Sequence, residues 1–540
     1  MVCSTDRYAS EVGVQILARG GNAVDAAVAV SFALAVVNPE AGNLGGGSFL
    51  LARAPDGVVS GLDCRSVAPK GASPNMFRAR DRSRGEPSLL GALSAAVPGT
   101  LAGLWEAHRR LGSLPWADLV DPAVSLAQGF TVAERLVASF SPHIVRDLRR
   151  FPESARLFLP RTNGADPAPP AVGDILLQSD LAGTLTRIRE GGADGFYRGQ
   201  TANLIIDAMT REGGIISHQD LVEYSPAWRD PVRIPYRGHT LVSMSPPSSG
   251  GMTLAEICHI LSGFSLREMP WHGSQHIHLL AEAWRRAYAD RNHYLADPDF
   301  VRIPLSRLIS REYGRRRAET ISMESATPSE RVAPGGGSHE SAGLPGSHTT
   351  HVSIVDGKGG AVSFTTTLNT WYGSKMVVAG AGFLLNNEMD DFTLAPGVPN
   401  AFGLVQGEVN AIEPGKRMLS AMTPTFVLSP DNALMLVVGS PGGATIITSV
   451  FQVTSNMIDH GMEIGDAVHA PRVHHQHLPD RIVFEPNGLD VSLVEELMAL
   501  GHVVTAEEEP WGDVQAIRIL PNGLLQGVSD PRRGGVALCL

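Results

Sequence analysis

Thr349 and Thr350 stand at the head of a run in which Thr350, Val352 and Ile354 alternate with His351, Ser353 and Val355. A period of two reads as a strand. Asp356-Gly357-Lys358-Gly359-Gly360 reads as the turn into a second alternating run, Ala361 to Leu368, so the whole is a β-hairpin. The residues upstream, Thr320 to His348, are rich in Ser, Gly and Pro and poor in large apolar side chains, which reads as an exposed flexible segment. A flexible segment running into a strand that begins with threonine is a good place for chain processing. On local pattern alone, an ordinary strand threonine behind an ordinary linker is the default.

A second group with chemical potential is Gly439-Ser440-Pro441-Gly442-Gly443, between a strand over Ala433 to Gly439 and a helix over Thr445 to His460. Glycines at such a turn can aim backbone N–H groups at an oxyanion, and the missing side chains permit close approach; a plain glycine turn is the alternative. Pro441 holds the place of the serine in a G-x-S-x-G elbow, which argues against a Ser-His-Asp esterase. The run Gly42-Asn43-Leu44-Gly45-Gly46-Gly47 lacks the flanking elements and the Lys-Ser/Thr of a phosphate loop. It reads instead as backbone crowding against a buried helix or a substrate. His469, His474, His475 and His477 fit no standard zinc spacing and have no cysteine nearby, so no metal is expected.

Helices and strands must hold these groups. Tyr8 to Arg19 reads as a short amphipathic helix stopped by Gly20-Gly21. Asn22 opens a helix over Ala23 to Val37 that is apolar nearly all round and belongs in the core. A strand over Ser48 to Ala52 follows the glycine run. The region from about 90 to 320 reads as mainly helical. It includes a helix over Ser274 to Asp290, and the turn Pro246-Pro247-Ser248-Ser249-Gly250-Gly251 leads into another. No internal repeat is evident.

The chain has 540 residues, of which 43% are hydrophobic and 18% charged, a composition that supports a large core in a globular enzyme. The net charge is −11 with no basic stripe, which gives nucleic-acid binding no support; Arg315, Arg316 and Arg317 read as a solvated helix end. Cys3, Cys64, Cys258 and Cys539 are scattered and read as free thiols or small apolar fillers. The longest apolar run, Ala26 to Val37, falls short of the roughly 20 residues a membrane span needs. Met1-Val2-Cys3-Ser4 shows no basic segment followed by an apolar one, so no signal peptide is visible. The expected compartment is the cytoplasm, or the periplasm or exterior if a leader is missing.

Many motifs in one order resemble the γ-glutamyltransferase family (γ-glutamyl transpeptidases, also called glutathione hydrolases). They begin with Gly20-Gly21-Asn22-Ala23-Val24-Asp25-Ala26-Ala27, Gly42-Asn43-Leu44-Gly45-Gly46-Gly47 and Pro98-Gly99-Thr100. They continue with Pro246 to Gly251, Ala287-Tyr288-Ala289-Asp290-Arg291 and Thr349-Thr350-His351. Leu385-Asn386-Asn387-Glu388-Met389-Asp390-Asp391-Phe392, Gly439 to Gly443 and Ser529-Asp530-Pro531-Arg532 complete the set. The resemblance implies an α+β N-terminal-nucleophile hydrolase fold, a four-layer αββα sandwich. It implies self-cleavage between His348 and Thr349 into a large subunit, 1–348, and a small one, 349–540, that stay associated. No cofactor is implied.

Carried onto this sequence, the resemblance makes Thr349 the nucleophile, oriented by Thr367, with Gly442 and Gly443 as oxyanion donors. Arg65 and Ser420 would hold the α-carboxylate of a γ-glutamyl donor, and Glu388, Asp391 and Asn369 its α-amino group. The acyl group would pass to water or to an amino acid or peptide. Two departures concern the donor. Ala421 stands where a second serine occurs, a loss of about 1.5–3 kcal/mol if it bonds a charged group. Phe402 stands where bacterial relatives with a lid loop, here roughly Pro396 to Arg417, carry a tyrosine, and a phenyl ring cannot hydrogen-bond Asn369. Both leave the reaction intact and open the alternative of a glutaryl (cephalosporin-type) acylase. A catalytically silent homologue is a third reading, against which intact Thr349, Thr367, Gly442 and Gly443 argue.

Overall fold

The computed structural model describes residues 1–77, 86–164, 166–334, 349–395 and 397–540. His348 and residues 335–347 of the expected flexible segment lie outside the described residues.

Two sheets dominate the fold. In chain order their strands are β1 (Val2–Ser4), β2 (Gly47–Arg53), β3 (Val59–Cys64), β4 (Ala227–Arg229), β5 (Val232–Tyr236), β6 (His239–Ser243), β7 (Thr349–Val355), β8 (Ala361–Thr367), β9 (Thr425–Leu428), β10 (Leu434–Gly439), β11 (Gln515–Ile519), β12 (Leu525–Ser529) and β13 (Val536–Leu538). The first sheet runs β13-β1-β7-β8-β2-β3-β4 and the second β12-β11-β10-β9-β6-β5. Strands from before residue 335 and after residue 348 are hydrogen-bonded neighbours in both sheets, so neither part can complete a sheet without the other.

The period-two pattern of the β7–β8 hairpin decides what faces what. Val352, Ile354, Val362 and Phe364 turn outward into a core shared with helices α1 (Arg7–Ala18) and α2 (Ala23–Val37). The alternate set, His351 and Ser353 with Thr365 and Ser363, turns toward the second sheet. There the Ser353 hydroxyl donates to the Gln515 carbonyl at 2.8 Å, and Ser363 Oγ accepts from the Thr425 N–H at 3.0 Å. The His351 ring lies over Gly439, where an added Cβ would come within 2.2 Å of it. The far side of the second sheet packs on α3 (Gly250–Leu261), α4 (Ser274–Tyr294) and α5 (Thr445–Ile458) in a second core. The order helix, sheet, sheet, helix is that of the expected sandwich.

Local signals explain the elements that frame the site. Asn22 caps α2 in a reciprocal box with Asp25, and all fifteen residues of the helix are buried. The glycine run after α2 is there because backbone crowds it. An added Cβ would meet the Leu34 carbonyl oxygen at 2.3 Å from Gly42, that of Leu384 at 2.1 Å from Gly45, and that of Thr367 at 2.0 Å from Gly46. The crowding is against α2 and the site's own loops.

Three sequence expectations need correction. Residues 227–243 are not helical: they form β4, β5 and β6, and Pro235 is tolerated because β5 is an edge strand. Thr320 to Val332 is not uniformly exposed, since Ser329 is buried and its N–H donates to Asp480. Arg317 is not a solvated end like Arg315 and Arg316; it turns inward to Asp290 at 3.2 Å and Glu256 at 3.4 Å. Cys3, Cys64 and Cys258 are buried free thiols and Cys539 is exposed. Among the described residues no helix is long and apolar enough to cross a membrane.

Candidate active site

Thr349 is the first residue of β7, and the antiparallel register sets it directly opposite Thr367, the last residue of β8. Their hydroxyls share a hydrogen bond at 3.1 Å, and both residues are buried. Thr367 Oγ1 also accepts from the Asn369 N–H at 2.9 Å. Asn369 has φ +80, a left-handed conformation that asparagine tolerates better than most residues. Its side chain donates to the Asn387 carbonyl at 3.1 Å. One short chain of bonds thus fixes the hydroxyl of Thr349 and the start of the following loop.

Thr349, Thr367 and Asn369 line a cavity of about 20 Å³ together with Arg65, Asp391, Ser420, Ala421, Phe402 and Gly443. Gly443 enters from the turn before α5. Gly442 and Gly443 both have positive φ, +145 and +55, a region glycine adopts more readily than residues with a side chain. Among the described residues neither glycine's N–H donates to an acceptor, so both donors are available. Gly442 is not among the residues that line the cavity.

Arg65 carries the charge at the other end. It is ion-paired to Glu388 at 2.8 Å and to Asp391, and all three residues are buried. The Glu388 contact is close but not aligned as a hydrogen bond. Burial pushes both carboxyls above the usual carboxylate range, and the Arg65 guanidinium pulls both back down. Glu388 lies behind the cavity, its second oxygen accepting from the Gly47 N–H at 2.7 Å. Asn386 pins this loop to the glycine run by donating to the Gly45 carbonyl at 2.7 Å. Ser420 Oγ accepts from the Met422 N–H at 3.2 Å. Ala421 offers no hydroxyl and Phe402 covers the cavity with carbon.

Sequence reasoning missed several wall residues. Asn400 donates to Asp391 at 3.2 Å, Gln406 donates to the Asp391 carbonyl at 2.9 Å, and Arg291 enters from α4. Arg291 closes a motif quoted above, but helical spacing gave it no role.

Asp390 anchors the segment that carries Phe402. It accepts from the Ala401 N–H and the Ser88 hydroxyl, both at 2.7 Å. Burial, with Asp391 and Glu86 nearby, pushes its carboxyl from 3.8 up to about 7 against those two bonds. Between about pH 4 and 7 the folded chain keeps this proton and the unfolded chain has lost it. Stability from this group therefore falls as pH rises through that window and levels off above it. In Asp390→Asn the fall disappears, so Tm relative to the parent is expected to improve from pH 4.5 to pH 7. A difference in Tm that stays constant across that range would refute the assignment.

The histidines of the 469–477 region do not converge on one point. His474 bonds Thr448 at 2.8 Å, His475 bonds Asp480 at 3.1 Å, and His477 bonds the Ser329 carbonyl at 3.0 Å. Among the described residues the arrangement closest to a metal cage is His278, Glu282 and His502. There the two histidines bond each other at 2.8 Å, and Glu282 is engaged by Arg285, Arg286 and Thr327. Two guanidiniums on the one carboxylate make this an internal polar network.

A buried threonine at the head of a strand in two stacked sheets, lining a cavity with Gly443 and flanked by helices outside, is the arrangement of an N-terminal-nucleophile hydrolase. The family model described as Gamma-glutamyltranspeptidase matches residues 9–540. A glutathione hydrolase proenzyme of Pseudomonas aeruginosa is 46% identical over 99% of this chain and 94% of its own length. The crystal structure of γ-glutamyltranspeptidase from Helicobacter pylori is 41% identical with a TM-score of 0.58, covering 61% of this chain and 93% of that one. That of cephalosporin acylase from Bacillus halodurans is 26% identical with a TM-score of 0.81, covering 100% and 95%. The chain belongs to the γ-glutamyltranspeptidase family.

Proposed function

We propose that the chain cleaves itself between His348 and Thr349, giving subunits 1–348 and 349–540, and then opens γ-glutamyl amides such as that of glutathione. A threonine hydroxyl is a weak nucleophile at neutral pH and needs a base beside it. An internal threonine has no free amine. In the first step Thr349 Oγ1 attacks the His348 carbonyl and the acyl group shifts from nitrogen to oxygen. Water then hydrolyses the ester, leaving a carboxylate on His348 and a free amine on Thr349. In the second reaction the same oxygen attacks the γ-carbonyl of the donor, and the new amine takes its proton directly or through water. The N–H groups of Gly442 and Gly443 receive the oxyanion. The amine of the donor leaves, and water or an amino acid or peptide accepts the acyl group.

One observation carries the choice of donor: the cavity that holds Thr349 is also lined by Arg65 and Asp391, with Glu388 paired to Arg65 behind it. A γ-glutamyl group ends in an ammonium and a carboxylate. The ammonium suits Asp391, Glu388 and Asn369, and the carboxylate suits Arg65 and Ser420. A glutaryl group has no ammonium and leaves two buried carboxylates without that use. The cephalosporin acylase relative and Ala421 keep the glutaryl reading as the competitor. A hydrogen bond to a charged group contributes about 1.5–3 kcal/mol, or roughly 10–100-fold. The γ-glutamyl anilide is therefore expected to exceed the glutaryl anilide by that factor in kcat/KM. A glutaryl anilide that is the better substrate would reverse the assignment.

A further inference from the structure

We infer that Arg291 is a second guanidinium for the donor's α-carboxylate, acting beside Ser420 where Ala421 supplies no hydroxyl. This rests on the reading of the cavity as a γ-glutamyl site.

The two arginines that line the cavity are not alike. Arg65 already faces two carboxylates. Arg291 is 1% exposed, and among the described residues no carboxylate lies within 4.0 Å of its guanidinium. Its Nε donates to Ser249 Oγ at 2.9 Å and its Nη1 to Asn292 Oδ1 at 2.8 Å, both neutral acceptors. Its Nη2 donates to no group among the described residues. Burial lowers its pKa to about 10, so it remains a cation at neutral pH. Asp391 acts on it only through space, from beyond 4.0 Å, and holding a buried charge with no carboxylate in contact costs several kcal/mol. A cavity wall is where such a charge gains an anionic partner on binding.

Its position matches the missing contact. Ser249 accepts from Arg291 while its own hydroxyl and N–H both donate to the Ser420 carbonyl at 2.7 Å. Arg291 and Ser420 are thereby fixed to each other at the Ala421 end of the cavity. Charge agrees as well. Arg65 and Arg291 balance Glu388 and Asp391, so a zwitterionic donor end adds no net charge to a closed cavity. The ammonium can join Asp391 while the carboxylate takes the open nitrogen of Arg291.

The test compares the γ-glutamyl anilide with the 4-aminobutyryl anilide, which keeps the amine and lacks the α-carboxylate. In Arg291→Gln the ratio of their kcat/KM values is expected to fall about 10–100-fold, mostly through KM for the γ-glutamyl donor. Arg291→Lys keeps a charge without the fork and should lose less. If Arg291→Gln fails to self-cleave on a denaturing gel, the lysine variant carries the test and must still show a fall. A purely structural arginine would weaken both donors alike, so an unchanged ratio overturns the inference. Titration calorimetry of L-glutamate against 4-aminobutyrate separates this from failure of the parent reading. If the wild type opens no γ-glutamyl amide, that reading fails. The inference then still requires glutamate's advantage over 4-aminobutyrate to fall at least about 10-fold in Arg291→Gln. Equal ratios in both proteins, or a wild type that binds neither, overturn it.

Discussion

Thr349→Ala is expected to remain one chain of 57.4 kDa and to lose γ-glutamyl hydrolysis by about 10⁴- to 10⁶-fold. Both losses trace to one oxygen. Without Oγ1 nothing attacks the His348 carbonyl, so no amino terminus is made at residue 349. Without it, too, no acyl-enzyme forms. The substitution is mild for the fold. It removes one hydrogen bond, to Thr367, at the end of a strand that keeps its full ladder to β8; the stability loss is about 1 kcal/mol. Thr349→Ser restores a hydroxyl at the same place and should recover both cleavage and turnover. Producing 1–348 and 349–540 as separate chains removes the need for self-cleavage. That pair should be active with Thr349 and inactive with alanine, which assigns the second loss to chemistry. A Thr349→Ala protein that still cleaves, or a separately produced alanine pair that still turns over substrate, would dismantle the mechanism.

Much of this geometry was readable because period-two alternation is a strong signal. The β7–β8 hairpin, its turn and the helix after Gly443 follow from local pattern, and the register then sets Thr349 against Thr367. The core position of α2 follows from its wholly apolar sequence. What stayed hidden was long-range. Nothing near Arg65 shows that its ion-pair partners lie on the loop of Glu388 and Asp391, more than three hundred residues away. Arg291 reads as one more polar residue on a long helix, because a buried arginine is visible only once its surroundings are known. Strands β4 to β6 escaped because each is short and β5 contains Pro235, a residue that argues against a central strand. Crowding at the glycine run was legible, and at Gly42 it comes from α2 just before it; that Leu384 and Thr367 press on Gly45 and Gly46 was not, because they are distant in sequence.

Gly442→Ala is expected to lower kcat about 10²- to 10³-fold with KM within a few-fold of the parent. The tetrahedral intermediate alone carries the negative oxygen, so losing a donor to it raises the barrier without weakening the ground-state complex. Alanine leaves the N–H in place chemically and disturbs where it points. At φ +145 an L side chain is strained, by about 1–3 kcal/mol. The added Cβ would also lie 2.4 Å from Thr445 Oγ1. Thr445 opens α5 and its hydroxyl donates to the Gly442 carbonyl at 2.9 Å, so swinging the threonine away gives up that bond and leaves the backbone strain in place. The turn must rotate, and the N–H groups of Gly442 and Gly443 rotate with it. Steady-state kinetics on the self-cleaved variant, with Tm measured alongside, separates the two roles these glycines can have. A plain structural turn gives a lower Tm with kcat preserved; an oxyanion turn gives the fall in kcat even at temperatures where the variant is fully folded. Unchanged kcat in a folded, cleaved Gly442→Ala protein would place the oxyanion donors elsewhere in the cavity.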